Sequence, residues 1–286
     1  MSVQITTAFV EQYKANVLHL AQQKGSRLRD AVRTETVTGK SHFFERIGST
    51  AAQKRTSRHS DTPRMDTPHS RRKVSMDDYD WADLIDNEDK VRLLISPSSE
   101  YAMAGAWAMG RAMDDAIIAA ATGTAYSGVA GGTSVSLPAG NKVAHGGVGL
   151  SVNKLLNAKE ILDAGDIDPD EPRFVVCTAG QIADLLAITE ITSADFNTVR
   201  ALAAGQIDTY LGFKFIQSQR LGQDSTPNRQ NIAFTKSAIG LALGSDISTK
   251  ISERADKNYA TQVFLSMTIG ATRIEEEKMV EIAAVE

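Results

Sequence analysis

The character of the sequence changes twice between residues 46 and 122, and these changes constrain the fold more than any other feature. A polar, basic stretch covers Arg46–Lys73, an acidic stretch covers Asp77–Asp89, and a helix-forming segment rich in alanine and methionine then ends near Ala121–Thr122. Residues 51–73 contain almost no large apolar side chain except Met65, so they cannot bury a core of their own. We predict an extended polar arm joined to a rigid rod, which is typical of a subunit that reaches its neighbours.

The two polar stretches carry opposite charge. Arg46–Lys73 contains eight Lys or Arg and two acids, a difference of +6, whereas Asp77–Asp89 contains seven acids and no base. Such blocks can pair within the chain or across a contact between subunits, where opposite patches fix register and steer encounter. A disordered, solvated loop is the alternative. The candidate contact residues are Arg55, Arg58, Arg64, Arg71, Arg72, Lys73, Asp77, Asp78 and Asp80.

The rod is predicted as a helix over Pro97–Ala121. Ser96 supplies a cap, proline fits the first turn, and Glu100 lies near the positive end of the helix. Gly105 and Gly110 would let another element approach closely, because neither has a side chain.

One face of this helix repeats Met109, Met113 and Ile117, and we expect it to be buried. Methionines at this spacing are far more often core than part of a cofactor site. At the edge of that face, Asp114-Asp115 follows Arg111 closely, which predicts a local ion pair.

The rest of the chain mixes helices and strands without a βαβ rhythm, which favours an α+β fold over a doubly wound sheet. An amphipathic helix is also predicted for residues 3–24, and the eight glycines of residues 123–149 predict a mobile surface loop. Further helices are predicted at 151–163 and, capped by Thr178, at 181–188; strands at 174–177, 211–216, 259–270 and 279–285; and a short hairpin from 231–234 and 238–243.

Composition and motifs give no support to an enzyme. Hydrophobic residues make up 42% of the chain, enough for a real core, and a net charge of −4 gives no global signal for nucleic-acid binding. The single cysteine, Cys177, excludes an internal disulfide and follows a strand-like segment that predicts a buried structural thiol. Asp166–Pro172 departs from the EF-hand pattern and predicts a turn. We predict no catalytic, cofactor or metal site.

Targeting signals are also missing from the sequence. The N-terminus lacks the order of a signal peptide, and no apolar run approaches the roughly 20 residues that span a bilayer. The sequence therefore predicts a soluble, intracellular product.

Two later segments complete a recognisable order of elements. Arg173–Leu186 reads as a strand followed by a helix, and Gly205–Ser218 contains a Leu-Gly-aromatic turn that leads into a strand. Together with the polar arm and the long helix, they resemble the HK97-fold major capsid protein of tailed bacteriophages. The resemblance implies an N-terminal arm at 1–42, an extended E-loop at 43–92, a P-domain spine helix at 93–127, an A-domain at 128–245 and C-terminal P-domain strands at 246–286.

The resemblance also implies a function. We expect a structural protein that self-assembles into hexamers and pentamers of a non-covalent icosahedral shell around double-stranded DNA, without sequence-specific binding. Its place is the virion, after assembly in the host cytoplasm. Because only residues 1–42 precede the loop, we expect a separate scaffolding protein, with a portal and a decoration protein as further partners.

Two other functions remain open at this point. An encapsulin-type nanocompartment shell has the same fold but encloses a cargo enzyme, and a nucleic-acid-binding protein could use the basic segment 46–73. Under the capsid interpretation, reversing the charge of Arg71, Arg72 and Lys73 together is expected to leave the subunit folded and to block shell closure.

Overall fold

The computed structural model describes residues 22–55, 57–58, 61–62, 64–86, 98–188, 209–223 and 228–286. The helix predicted for residues 3–24 lies almost wholly outside these ranges, as does the predicted cap at Ser96-Pro97. The described residues form three α-helices and three β-sheets of four, six and four strands.

The helices and strands are numbered in chain order. The helices are α1 Ser98–Thr122, α2 Val152–Ala164 and α3 Ala179–Ala187. The strands are β1 Arg33–Thr36, β2 Ser41–Ile47, β3 His69–Ser75, β4 Asp77–Ile85, β5 Ala125–Ser127, β6 Thr133–Val135, β7 Lys142–Val143, β8 Arg173–Cys177, β9 Thr209–Tyr210, β10 Phe213–Gln217, β11 Asn228–Thr235, β12 Ile239–Arg254, β13 Ala260–Arg273 and β14 Met279–Val285.

The long helix α1 packs on a sheet with strand order β1-β12-β13-β4. Its apolar face is buried as predicted, with Met109, Met113 and Ile117 in the core beneath it. Gly105 permits the close approach: a Cβ built there would lie 2.7 Å from Leu265 and from Trp81 on the sheet. Although α1 has 25 residues, none of the described helices combines the length and apolarity needed to cross a membrane.

The first nine residues of the acidic stretch, Asp77–Ile85, form an edge strand of this sheet, which the sequence analysis did not predict. β4 pairs antiparallel with β13 from Ile85 opposite Thr261 to Asp77 opposite Ile269. Its aromatic residues, Tyr79 and Trp81, alternate with acids and pack against the core under α1. The alternation of aromatic and acidic residues, which is the pattern of a half-buried strand, was present in the sequence, but the many carboxylates concealed it.

The second sheet has strand order β7-β14-β11-β8-β10-β9 and surrounds a separate apolar core with α2 and α3. β8 and β10 are parallel neighbours, and α3 lies in the sequence between them. Helix α3 begins with a capping box between Thr178 and Gln181, so the predicted cap at Thr178 is confirmed. The Leu-Gly-aromatic turn is also confirmed: Leu211 and Gly212 have φ of 52° and 83° and lead into β10.

The hairpin predicted from residues 231–234 and 238–243 was wrong. β11 pairs with β8 and β14, whereas β12 pairs with β1 and β13 in the other sheet. The turn at residues 236–238 therefore carries the chain from one sheet to the next. Both strands are apolar because both are buried, and burial alone does not specify a partner.

The third sheet, with order β2-β3-β5-β6, is built on a hairpin of β2 and β3. Its register runs from Ser41 opposite Ser75 to Ile47 opposite His69. The glycine-rich segment that was predicted as a loop supplies β5, β6 and β7. At one of its turns, Gly131 has φ of +69° and a Cβ there would lie 2.3 Å from Lys73 Cδ.

The predicted ion pair between Arg111 and the two aspartates was also wrong. Asp114 is fully buried and binds the segment that precedes β1. Its carboxylate accepts hydrogen bonds from the backbone nitrogens of Arg27 at 3.0 Å and Leu28 at 3.1 Å. The side chains of Gln23 and Ser26 also donate to it, each at 2.5 Å. A buried carboxylate that accepts several hydrogen bonds holds together parts of the chain that are distant in sequence.

Gly110 permits this tie, because a Cβ there would lie 2.5 Å from the backbone carbon of Gly25. The prediction that Gly105 and Gly110 allow close approach is therefore confirmed. Arg111 instead donates to Gln22 Oε1 at 3.0 Å and to the Gln23 carbonyl at 3.1 Å.

We predict that Asp114→Asn lowers the free energy of unfolding by about 1–3 kcal/mol, because an amide would aim its own donors at backbone N–H groups. Urea unfolding followed by circular dichroism measures this change. Asp115→Asn is the control: Asp115 forms a half-exposed ion pair with Arg220, so its loss is expected to cost no more than about 1 kcal/mol. Equal effects of the two variants would contradict the anchoring role of Asp114.

Cys177 is fully buried in β8, as predicted, and burial raises the pKa of its thiol to about 12. Because only the thiolate reacts, we expect alkylation at pH 8 to be slower in the native chain than in denaturant by about a thousandfold. The rate of modification by iodoacetamide, followed by mass spectrometry with and without urea, tests this expectation. Similar rates in both conditions would mean that the strand opens readily.

Candidate functional site

The most exposed part of the described chain is the turn of the β2–β3 hairpin. We define the loop tip as residues 48–68; each of its described residues is exposed. Gly48 donates to the Pro68 carbonyl at 2.9 Å and closes its base. Arg55 Nε donates to the Ser57 carbonyl at 2.8 Å. Both of these hydrogen bonds join residues of the loop tip to each other.

The arginines of the loop tip are available for binding. In the part of the chain that the structure describes, no carboxylate lies within ion-pair distance of Arg55, Arg58 or Arg64. Arginine presents a planar fork of donors that suits carboxylates, so unpaired arginines on an extended loop favour contact with an acidic partner.

Strands β2 and β3 form the stem of the hairpin, and the outer face of this stem carries weak, exposed contacts. Arg71 forms an ion pair with Glu45 across the strands at 2.9 Å and lies 5.2 Å from the centre of the Phe43 ring. Lys73 packs against Gly131 on the neighbouring strand pair. Exposed ion pairs of this kind contribute about 0.2–1 kcal/mol, so they shape the stem more than they fix it.

The inner face of the stem is fixed to the body by Glu276. Both carboxylate oxygens of Glu276 accept from Arg72 Nη2 at 2.7 Å, and Arg46 Nη1 lies 3.4 Å away. Arg72 Nε also donates to the Ile274 carbonyl at 3.3 Å. Since Arg72 is only 5% exposed, its guanidinium depends on these partners for its solvation.

A third arginine connects the same carboxylate to the end of the spine helix. Arg273 is completely buried and lies 3.6 Å from Glu276. Its Nη1 donates to the carbonyls of Ala121 at 2.9 Å and Gly123 at 2.8 Å, where the helix dipole is negative. Burial lowers the pKa of Arg273 from its usual value, and Glu276 opposes that shift. We call Arg46, Arg72, Arg273 and Glu276 the stem clamp.

The clamp changes one expectation about the candidate contact residues. Arg72 serves the interior of the subunit, so reversing its charge together with Arg71 and Lys73 would damage the fold as well as any contact. That triple variant is no longer expected to leave the subunit folded. The loop-tip arginines are the cleaner probes.

The acidic candidates lie apart from the basic ones. Asp77, Asp78 and Asp80 are exposed on edge strand β4, and Asp78 accepts a hydrogen bond from Thr268 Oγ1 at 2.7 Å. Across the described ranges, no ion pair joins these aspartates to the basic candidates. The structure therefore leaves the three aspartates and the loop-tip arginines available for contacts outside the subunit, whereas Arg71 and Arg72 are paired within it.

Sequence reasoning missed an acidic cleft of about 530 Å³ beside the stem. Its walls are the start of the loop tip and the turns at residues 165–168 and 275–278. The two turns are more than 100 residues apart in sequence, and the sequence analysis predicted only the first of them as a turn. No local pattern predicts that they meet. The carboxylates that line this acidic cleft belong to Asp166, Asp168, Glu171, Glu275, Glu276 and Glu277.

These carboxylates are spread along the cleft. Among the described residues, no group of three or more His, Cys, Asp or Glu side chains is arranged to hold a metal ion.

We predict that Glu276→Gln lowers the free energy of unfolding by about 3 kcal/mol, because the buried cations of Arg72 and Arg273 would lose their counter-charge. Urea unfolding of the unassembled chain measures the loss. Glu277→Gln is the matched control, because Glu277 is the next residue in the sequence, is exposed and lies outside the clamp. The control should change stability by no more than about 0.5 kcal/mol. An unchanged midpoint for Glu276→Gln would contradict the clamp.

Solved structures share this architecture across nearly the whole chain. The capsid of cyanophage P-SCSP1u matches with a TM-score of 0.74 at 19% identity, covering 99% of this chain and 94% of that one. A Mycobacterium phage Che8 chain matches with a TM-score of 0.69 at 17% identity, covering 95% and 96%. The capsid of Ralstonia phage GP4 matches with a TM-score of 0.71 at 10% identity, covering 96% and 95%. These likenesses show the HK97-like capsid fold predicted from the order of elements.

The family assignment rests on sequence. A search of curated proteins found no significant match. The family model described as "Phage capsid protein" matches residues 5–286, almost the entire chain. The protein therefore belongs to the phage capsid protein family and is a structural component of a bacteriophage virion.

Proposed function

We propose that this chain is a major capsid subunit that self-assembles into hexamers and pentamers of an icosahedral shell around double-stranded DNA. The observation that supports this proposal most is the loop tip, an exposed basic segment whose arginines lack carboxylate partners in the described subunit. A monomeric protein would gain nothing from holding it out into solvent. A shell subunit gains a contact with its neighbour.

The stem clamp supports the same proposal. The clamp fixes β2 and β3 to the end of α1, so the position of the loop tip is defined before it binds. Little conformational entropy is then lost on binding. Each contact can then be weak, because a closed shell multiplies it over many subunits. Weak individual contacts also allow one sequence to fit both flat and curved parts of a shell.

The proposed partners follow from the same function. They are other copies of the chain, a separate scaffolding protein, a portal and a decoration protein, with assembly in the host cytoplasm. The net charge of −4 supports packaging of DNA without sequence-specific binding, since a strongly basic lining would retain the genome through counterion release. No catalytic role is proposed.

The domain division is also a proposal, and sheet membership supports two adjustments to it. β4 shares a sheet with β12 and β13, which supports assigning residues 77–85 to the P-domain instead of the E-loop. β14 shares a sheet with β8 and β11, which supports assigning residues 279–285 to the A-domain. α1 remains the proposed spine.

The family match favours a virion over an encapsulin-type compartment. Electron microscopy and light scattering of the recombinant chain test assembly, and the DNA content of native particles tests what the shell encloses. A chain that stays monomeric even with its scaffolding protein would contradict the shell. Salt-sensitive DNA binding by that monomer would instead support the nucleic-acid-binding alternative.

We predict that the combined variant Arg55→Glu, Arg58→Glu and Arg64→Glu remains folded and fails to form closed shells. These side chains are exposed, so reversing them removes no core contact but turns attraction to an acidic neighbour into repulsion. Circular dichroism checks the fold, and electron microscopy counts particles. The matched control replaces the same three arginines by lysine and keeps the charge. Normal particles from the glutamate variant would remove the contact role of the loop tip.

A further inference from the structure

The acidic cleft contains more negative charge than the subunit itself neutralises. Six carboxylates and two cations line it, and two further cations, Arg72 and Arg273, bind Glu276 from outside the lining, which leaves an excess of two negative charges. One of the cations, Lys278, lies 3.3 Å from Glu275 and 3.6 Å from Glu171. The other, Arg46, belongs to the stem clamp through Glu276. Both cations of the cleft are therefore already engaged.

Three carboxylates remain without a cation. Asp166, Asp168 and Glu277 are exposed, and none of the described Lys, Arg or His side chains lies within ion-pair distance of them. Unlike charges on a flat surface, they face a concave space that a ligand can fill. Displacement of water from such a space strengthens ion pairs that form there.

The loop tip has complementary chemistry. It presents three arginines without carboxylate partners in the described chain, and it is the segment that the clamped stem holds out. Within the tip, Arg55 donates to the Ser57 carbonyl and Gln53 donates to the Met65 sulfur. The start of the same loop, at Gly48 and Ser49, forms a wall of the cleft of its own subunit.

Apolar groups accompany the charges on both sides. Ile47 lines the cleft and is 70% exposed, and Met65 on the loop tip is 44% exposed. Contact between two such side chains would remove apolar surface from water on both partners.

We propose that the acidic cleft of one subunit receives the loop tip of a second copy of the chain. This inference rests on the proposed shell function and names the surface on which the loop tip binds. Arg55, Arg58 and Arg64 would meet the three unpaired carboxylates, and the fork of each guanidinium can bind a carboxylate through two hydrogen bonds.

The other acidic surface, on β4, is the less suitable partner. Asp78 and Asp80 are exposed on the edge strand β4, and Asp78 already accepts a hydrogen bond from Thr268. Charges on an open surface are screened by salt within about 10 Å, whereas partly enclosed pairs are screened less.

Charge exchange between the two surfaces tests the proposal. The cleft variant is Asp168→Lys with Glu277→Lys; Asp166 is left unchanged because its φ of 55° suits aspartate better than lysine. The chain is produced with whichever phage products the wild type needs to form particles. We expect the cleft variant alone to lose shell yield by about tenfold or more. Combining it with the loop-tip glutamate variant should restore the yield to within about threefold of the wild type.

The matched control is Asp78→Lys with Asp80→Lys, which makes the same charge change on β4. Rescue of the loop-tip glutamate variant by this control, or normal shells from the cleft variant, would overturn the cleft as receptor while leaving the shell function intact. Normal shells from the loop-tip variant alone would instead overturn the contact role on which the inference rests. If the lysine pair unfolds the chain, Asp168→Asn with Glu277→Gln should still reduce shell yield several-fold, and an unchanged yield would count against the cleft.

Discussion

The contact between Glu276 and three arginines is the interaction on which the rest of the structure depends. Arg72 and Arg46 bring the hairpin stem to this carboxylate, and Arg273 brings the end of the spine helix. Because Arg72 and Arg273 are almost completely buried, neither can rely on water for its solvation. Their shared anion thus sets where the hairpin leaves the body, and so where the loop tip is presented.

A fully buried carboxylate, that of Asp114, performs a similar task at the other side of the spine. Asp114 holds the segment before β1 through backbone and side-chain donors, and Gly110 leaves room for that segment to lie against the helix. The spine helix is therefore fixed at its middle to the N-terminal segment and at its end to the hairpin. Interior polar ties of this kind hold extended elements in register where apolar packing alone would let them slide.

Local patterns predicted the elements well where each element buried its own side chains. The helix from Ser98 to Thr122, the cap at Thr178 and the buried thiol of Cys177 all agree with the sequence analysis. The failures have a common cause. The partners of β11 and β12, the strand at Asp77–Ile85 and the role of Asp114 are all set by contacts far away in sequence.

The sequence by itself determined the order of elements, the basic loop and the long spine, and that order was enough to indicate the capsid fold. Only the tertiary structure decided which charges remain available. It buried Arg72 against Glu276 and left Arg58 at the surface, although both belong to one basic stretch. It also joined Asp168 and Glu277 in one cleft. The physical reason is that charge is a local property of the sequence, whereas solvation and pairing depend on what the fold brings nearby.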